Sequence, residues 1–193
     1  MFKKIREDAI FPTRGSKYSA CVDVYANEDV TIGAGETKLV GLGIAIDLDN
    51  LLENVPMVKD MRRWHKERLD AGISSVLDVK KINYFKDEFL KSHYLQLMLR
   101  SSLAVKGLML GNGVGVIDLD YEDEIKMIIH NPFTLSGFNI DAYDGLHLPD
   151  NIPSFEIKKG DKIGQLTLLE HKSYLFGIES EDERNGGFGS TGK

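Results

Sequence analysis

Apolar residues fall on every second position in several short stretches of this chain. Val40, Leu42, Ile44, Ile46 and Leu48 alternate through one; Ile125, Met127 and Ile129 mark one face of Glu124–Ile129; Ile163–Leu169 and the apolar run Tyr94–Leu99 complete the set. A period of two is that of a strand with one face buried. Short strands parted by Gly, Asn, Asp and Pro predict a mainly β fold, a barrel or sandwich. From 51 to 91 the period changes. Met57, Met61, Trp64 and Leu69 recur at helical spacing, Ser75-Val76-Leu77-Asp78 has capping-box character, and Val79, Ile82, Phe85 and Phe89 form a second stripe. This predicts a helix–turn–helix-like pair, set into the β framework, whose two stripes face each other around a small core of their own. Residues 132–153, with their prolines, glycines and scattered Asp and Asn, predict a long loop.

Composition narrows the picture without naming an activity. A chain of 193 residues, 42% hydrophobic, suits a single domain with insertions. The net charge of −6 argues against nonspecific nucleic-acid binding. No window approaches the ~20 apolar residues of a membrane span, and Met-Phe-Lys-Lys-Ile-Arg-Glu-Asp lacks the apolar centre of a secretory signal. A cytoplasmic protein is expected. Its single cysteine, Cys21, excludes an intrachain disulfide and a cysteine-based zinc site.

Three constellations carry candidate chemistry. Residues 183–193 hold Arg184, Phe188, Gly189, Ser190 and Thr191 among further glycines. Glycine N–H groups, hydroxyls and an arginine suit a phosphate clamp, and Phe188 offers a stacking face for a base; a plain Gly/Ser terminus has similar composition. Arg100-Ser101-Ser102-Leu103-Ala104-Val105-Lys106-Gly107 predicts a turn of helix opened by a serine cap and closed by glycine, either an anion site or only a capped turn. Gly111–Tyr121 places Asp118 on the strand face of Val114 and Val116, where a carboxylate needs a partner or a task. Its glycines admit close approach to the backbone, and the Asn112 amide can read a base edge. A glycine-rich hairpin is the bland alternative.

Five segments, in order, resemble the five motifs of the homotrimeric dUTP pyrophosphatase (dUTPase) family: Ala20–Ala26, Arg100–Gly107, Gly111–Tyr121, Gly160–Leu166 and Arg184–Gly192. The resemblance implies a dUTPase-like jelly-roll β-barrel acting as a homotrimer on dUTP, with Mg²⁺ as cofactor, yielding dUMP and pyrophosphate. Such an enzyme keeps uracil out of DNA and supplies dUMP for dTMP synthesis. It implies that Asp118 is the general base, that Tyr121 packs beneath the deoxyribose, and that Asn112 hydrogen-bonds uracil. Arg100, Ser101, Ser102 and Gln165 would hold phosphates. Arg184, Gly189, Ser190 and Thr191 would close over the γ-phosphate while Phe188 stacks on the base, making 183–193 a flexible clamp. Asp23 would hold waters of the Mg²⁺ ion. The chain departs from the family pattern at Cys21 and Val22, at Glu122-Asp123 in place of Arg-Gly, and at Lys162 and Gly164 in place of Arg and Ala. The helical segment 51–91 and the loop 132–153 are absent from compact members; some phage-encoded members carry extra segments, so the compartment would be host cytoplasm if the source is viral. A dCTP deaminase-like or bifunctional enzyme is the nearest alternative. A nucleotide-switched regulator binding a protein partner through 51–91 is another.

Overall fold

A computed structural model describes residues 1–73, 76–133 and 154–178. In chain order its elements are β1 (Phe2–Lys4), β2 (Thr13–Arg14), β3 (Val22–Tyr25), β4 (Val30–Ile32), β5 (Thr37–Gly41), β6 (Ile44–Ile46), α1 (Leu48–Asn54), α2 (Pro56–Asp70), α3 (Val76–Ser92), β7 (His93–Leu99), α4 (Ser101–Ala104), β8 (Met109–Leu110), β9 (Gly115–Asp118), β10 (Lys126–His130), β11 (Phe155–Ile157) and β12 (Lys162–Glu170), followed by a 3₁₀ turn, Ser173–Phe176. The strands form a five-stranded sheet, β2-β3-β12-β7-β9, a three-stranded sheet, β5-β10-β8, and two pairs, β1-β6 and β11-β4. All pairings are antiparallel. The architecture is mainly β and jelly-roll-like.

The alternation seen in the sequence places the core. Ile125, Met127 and Ile129 are buried together, as are Leu95 and Leu97 of β7. Burying each such side chain contributes about 1.5–3 kcal/mol, and one contiguous cluster from β3 to β12 collects them. Two expected strands are interrupted. The stretch from Val40 breaks at Gly43, whose φ of +67° ends β5 and begins β6; Leu48 already belongs to α1, capped by the Asp47 carboxylate on the Asn50 N–H at 3.1 Å. In β12 the register shifts between Lys162 and Gly164, which lets both Ile163 and Leu166 point inward although three positions apart. Gly164 is required there: a Cβ would stand 2.5 Å from Met127 Sδ and 2.9 Å from Val24 Cγ2.

The segment between β6 and β7 is three helices, not two. Pro56, at the first position of α2, sets a new start after Val55. Glu53 ties the three together, bonded to Lys86 of α3 at 2.9 Å and paired with Arg62 of α2. The helices do bury a small core, Val55, Val58 and Ile82 with Met61, Phe85 and Phe89 against it. The predicted facing stripes hold in part: Met61, Ile82, Phe85 and Phe89 take part in that core, whereas Met57, Trp64, Leu69 and Val79 are all at least 36% exposed. Each residue turns a helix by about 100°, so burying Val58 rotates Met57 outward, and Trp64 lies under the Arg68 guanidinium, 4.7 Å from its ring. The helices are also joined to the main core, through Leu48, Leu51, Phe89 and Leu90. The predicted capping serine, Ser75, and the loop from 134 to 153 lie outside the described residues. No described helix is long and apolar enough to cross a membrane.

Candidate active site

Asp23 sits on β3 opposite Gln165 of β12 and is 5% exposed. A carboxylate so covered is costly without donors, and the sheet brings it several. Its Oδ2 accepts from Lys162 Nζ at 3.0 Å, its Oδ1 accepts from Gln165 Nε2 at 3.3 Å, and Arg100 Nε lies 3.4 Å from Oδ1. Burial alone would raise its pKa; the hydrogen bonds from Lys162 and Gln165 and the charges of Arg100 and Lys162 outweigh that and hold it below the usual aspartate range. Lys162 is raised in turn, first by its hydrogen bond to Asp23 and then by that carboxylate's charge. The side chains of Arg100 and Lys162 are 31% and 40% exposed against 6% for Asp23, so the cations are what a ligand meets.

Arg100 continues β7 into α4, anchored by its N–H on the Ile163 carbonyl at 3.1 Å. Arg100 itself is the N-cap, without a side-chain cap bond; the expected serine cap is not formed, because both serines already lie inside the turn. The first in-turn bonds run from Leu103 and Ala104 to Arg100, so the N–H groups of Ser101 and Ser102 precede them at the open end, with both serines exposed. Gly107 closes the turn at φ +97°. Exposed hydroxyls, early N–H groups and two cations form a surface suited to phosphate oxygens.

Among the described residues no group of three His, Cys, Asp or Glu could hold a metal ion. A single carboxylate already bonded to cations suits a hydrated ion that arrives chelated by phosphates, held through water, better than a resident metal.

The second cluster lies on β9, the sheet's edge. Asp118 stands opposite Tyr94, and Val116 opposite Gln96. Asp118 does share a face with Val114 and Val116, but that face is open on this chain: Val116 is 63% exposed, and Asp118 is exposed too. Gly115 lets β9 approach β7, since a Cβ there would stand 3.0 Å from the Leu97 Cβ. Asn112 is exposed in the turn before β9, which Gly113 shapes at φ +71°. After β9 the Tyr121 N–H donates to the Asp118 carbonyl at 3.1 Å, and the buried Tyr121 donates its hydroxyl to the Glu124 carbonyl at 3.1 Å.

The predicted residues therefore fall into two groups. Asp23, Arg100 and Gln165 meet, joined by Lys162, with Ser101 and Ser102 adjoining; Asn112, Asp118 and Tyr121 lie along the other segment. Arg100 and Tyr94, the partner of Asp118, stand six residues apart along β7, about 20 Å at strand rise. One copy of the chain does not bring Asp118 to Arg100. Asp23 and Gln165 nonetheless lie on the same face of the sheet as Asp118, because Asp23, Gln165 and Met98 are directly paired, as are Tyr94 and Asp118, and Met98 and Tyr94 share one face of β7. Lys162 was noted in the sequence only as a replacement for arginine; its neighbourhood to Asp23 was the missed element. Arg184, Phe188, Gly189, Ser190 and Thr191 lie outside the described residues.

No protein-family model matches the chain. Among curated relatives, the deoxyuridine 5'-triphosphate nucleotidohydrolase of Candida glabrata is 31% identical, over 97% of this chain and 92% of its own length. That of Nautilia profundicola is 29% identical, over 99% and 96%. Among solved structures, a mutant dUTPase from phage phi11 of S. aureus, in which a structural Mg(II) ion is coordinated, superposes with a TM-score of 0.55 at 18% identity, covering 98% of this chain and 97% of that one. That likeness establishes the shared fold.

Proposed function

We propose, from the premise that this chain belongs to the deoxyuridine 5'-triphosphate nucleotidohydrolase (dUTPase) family, that it hydrolyses dUTP to dUMP and pyrophosphate. The observation that carries the mechanism is the pair of half-sites at opposite ends of β7, one built of cations and hydroxyls, the other presenting a carboxylate. Asp118 takes the proton of the attacking water, which adds in line to the α-phosphorus as the bond to the bridging oxygen breaks. Arg100, Lys162, Gln165, Ser101 and Ser102 bind the phosphates and stabilise charge on the leaving pyrophosphate. Asn112 hydrogen-bonds uracil, and Tyr121 lies beneath the deoxyribose. The terminal residues Arg184, Gly189, Ser190 and Thr191 close over the γ-phosphate, with Phe188 on the base. Asp23 would hold a Mg²⁺ ion through water, and the ion would supply further neutralisation of phosphate charge.

The distance of about 20 Å along β7 and the open sheet face bearing Val114 and Val116 support sites shared between copies of the chain in a homotrimer. We assign the reaction to the cytoplasm, that of the host if the source is viral. The decisive assay incubates the protein and Mg²⁺ with dUTP, with UTP, dTTP and dCTP in parallel. Pyrophosphate and dUMP from dUTP alone are expected; ammonia from dCTP would move the chain to the deaminases.

One observation favours a partner-binding role beside catalysis. Met61, Trp64, Tyr84 and Phe85 line an open groove of about 590 Å³ between α2 and α3, with Lys80 and Lys81 on its walls. Exposed aromatic side chains framed by cations suit recognition of another protein. Trp64→Ala should leave dUTP turnover at the wild-type level; a fall would assign the groove to the catalytic unit instead.

A further inference from the structure

Glu124 follows Tyr121 by three residues and has no part in the reaction as drawn. Its side chain is only 10% exposed, and its charge is met by the glycine turn between β5 and β6. Oε1 accepts the Gly43 N–H at 2.9 Å and lies 3.6 Å from Arg6 Nε; Oε2 lies 3.8 Å from Lys126 Nζ. The turn is shaped to receive it, since a Cβ on Gly41 would stand 2.6 Å from Oε1. The flanking main chain is bound in the same place: the Leu42 N–H donates to the Ile125 carbonyl at 3.1 Å and the Ile125 N–H to the Ile44 carbonyl at 2.9 Å. The Glu124 carbonyl, fixed between these anchors, accepts the Tyr121 hydroxyl at 3.1 Å.

Tyr121 is thus held at both ends. Its N–H is bonded to the carbonyl of Asp118, and its hydroxyl to a residue whose carboxylate is clasped by another hairpin. We propose that Glu124 is a positioning residue for sugar recognition: by locking Tyr121 against the β5–β6 turn it fixes the height of the ring that meets the sugar, and so the exclusion of a 2′-hydroxyl. The proposal rests on Tyr121 lying beneath the deoxyribose. A rigid ring excludes a ribose because it cannot retreat; a loosened ring yields the space.

The test measures kcat and KM for dUTP and UTP, together with denaturant midpoints, in Tyr121→Ala, Tyr121→Phe, Glu124→Ala and Glu124→Gln. Tyr121→Ala should abolish most of the preference for dUTP. Glu124→Ala should lower the dUTP-over-UTP ratio of kcat/KM on the order of tenfold, the scale of one well-placed buried hydrogen bond, with KM for dUTP rising more than kcat falls. Glu124→Gln keeps an acceptor oxygen for the Gly43 N–H and should restore most of the ratio. Tyr121→Phe keeps the ring but loses the bond to Glu124, and should shift the ratio in the same direction as Glu124→Ala. If Tyr121→Ala retains the preference, Tyr121 is not the sugar platform and the proposal falls with that reading. If Tyr121→Ala loses it while Glu124→Ala and Tyr121→Phe retain it, the platform stands and the role of Glu124 is overturned. Should Glu124→Ala not fold, Tyr121→Phe decides alone, a wild-type ratio overturning the proposal.

Discussion

Asp23 and Asp118 are both carboxylates on one sheet face, and their surroundings separate their tasks. Asp118 is exposed at the edge of the sheet, where it can meet substrate and water. Asp118→Asn should keep the fold and nucleotide affinity while lowering kcat by about 10²–10⁴-fold, the usual worth of a general base; near-native turnover in a steady-state assay would remove it from that role. Asp23 is buried among Lys162, Gln165 and Arg100, with its pKa held below the usual range. A depressed carboxyl contributes stability that is fully present above its unfolded value and is lost as pH falls through the folded one. Denaturant midpoints taken from neutral pH into that acid window should therefore fall for wild type and fall less for Asp23→Asn. The residues proposed for the reaction could be named from the sequence because each sits in a motif whose order and residue types carry information. The bond from Lys162 to Asp23 was not legible, because it joins positions 139 residues apart and only the pairing of β3 with β12 creates it.

Strands were easier to read than helices, for a physical reason. A strand's side chains alternate between two faces, so Ile125, Met127 and Ile129 could be placed on one side from their spacing alone. The irregularities escaped, at Gly43 and at the shift beside Lys162, where a positive φ or an extra residue breaks the count, and so did the short strands β1, β2, β4 and β11, which hold too few residues to show a period. A helix presents a continuous range of directions, and the apolar residues of α2 span an arc wider than a single stripe, from Trp64 through Met57 and Met61 to Val58. Met57, Met61 and Trp64 made a plausible stripe, but contact with α3 selects the adjacent arc through Val58. Val58→Ala should accordingly destabilise by about 1–3 kcal/mol through the cavity it leaves, whereas Met57→Ala should stay within about 0.5 kcal/mol of wild type, as surface substitutions do. Urea denaturation would separate the two, and a larger loss at Met57 would mean that α2 is rotated in solution. The same packing bears on excision of the helices. Leu51, Phe89 and Leu90 belong with the main core, so removing 51–91 strips β-sheet contacts along with the helices. A deletion that spares those residues should leave dUTP turnover intact.

The whole molecule poses a problem that one copy of the chain does not solve. Arg100 and Asp118 lie on one sheet face, about 20 Å apart along β7, while the proposed reaction needs an attacking water within hydrogen-bond reach of its base and in line with the α-phosphorus. No small movement of a paired strand closes such a gap, because β7 is hydrogen-bonded along its length to β12 and, from Tyr94 to Leu97, to β9. Setting the Asp118 end of one copy against the Arg100 end of another would close it, and would cover Val114 and Val116, which are open to water on the single chain. The terminal residues can come from yet another copy. Two inactive variants test this arrangement: Asp118→Asn, and a chain truncated before Arg184. Each should sediment as a trimer and hydrolyse almost no dUTP alone. After mild dissociation and reassembly, mixed trimers would contain sites that take an intact Asp118 from one variant and an intact tail from the other, and turnover should return, highest at equal mixing and vanishing toward either pure variant. If base and tail act within one subunit, no ratio restores activity, since every subunit lacks one of the two. Recovery in the mixture together with a trimeric mass would establish the shared site; a monomer that turned over dUTP would refute it.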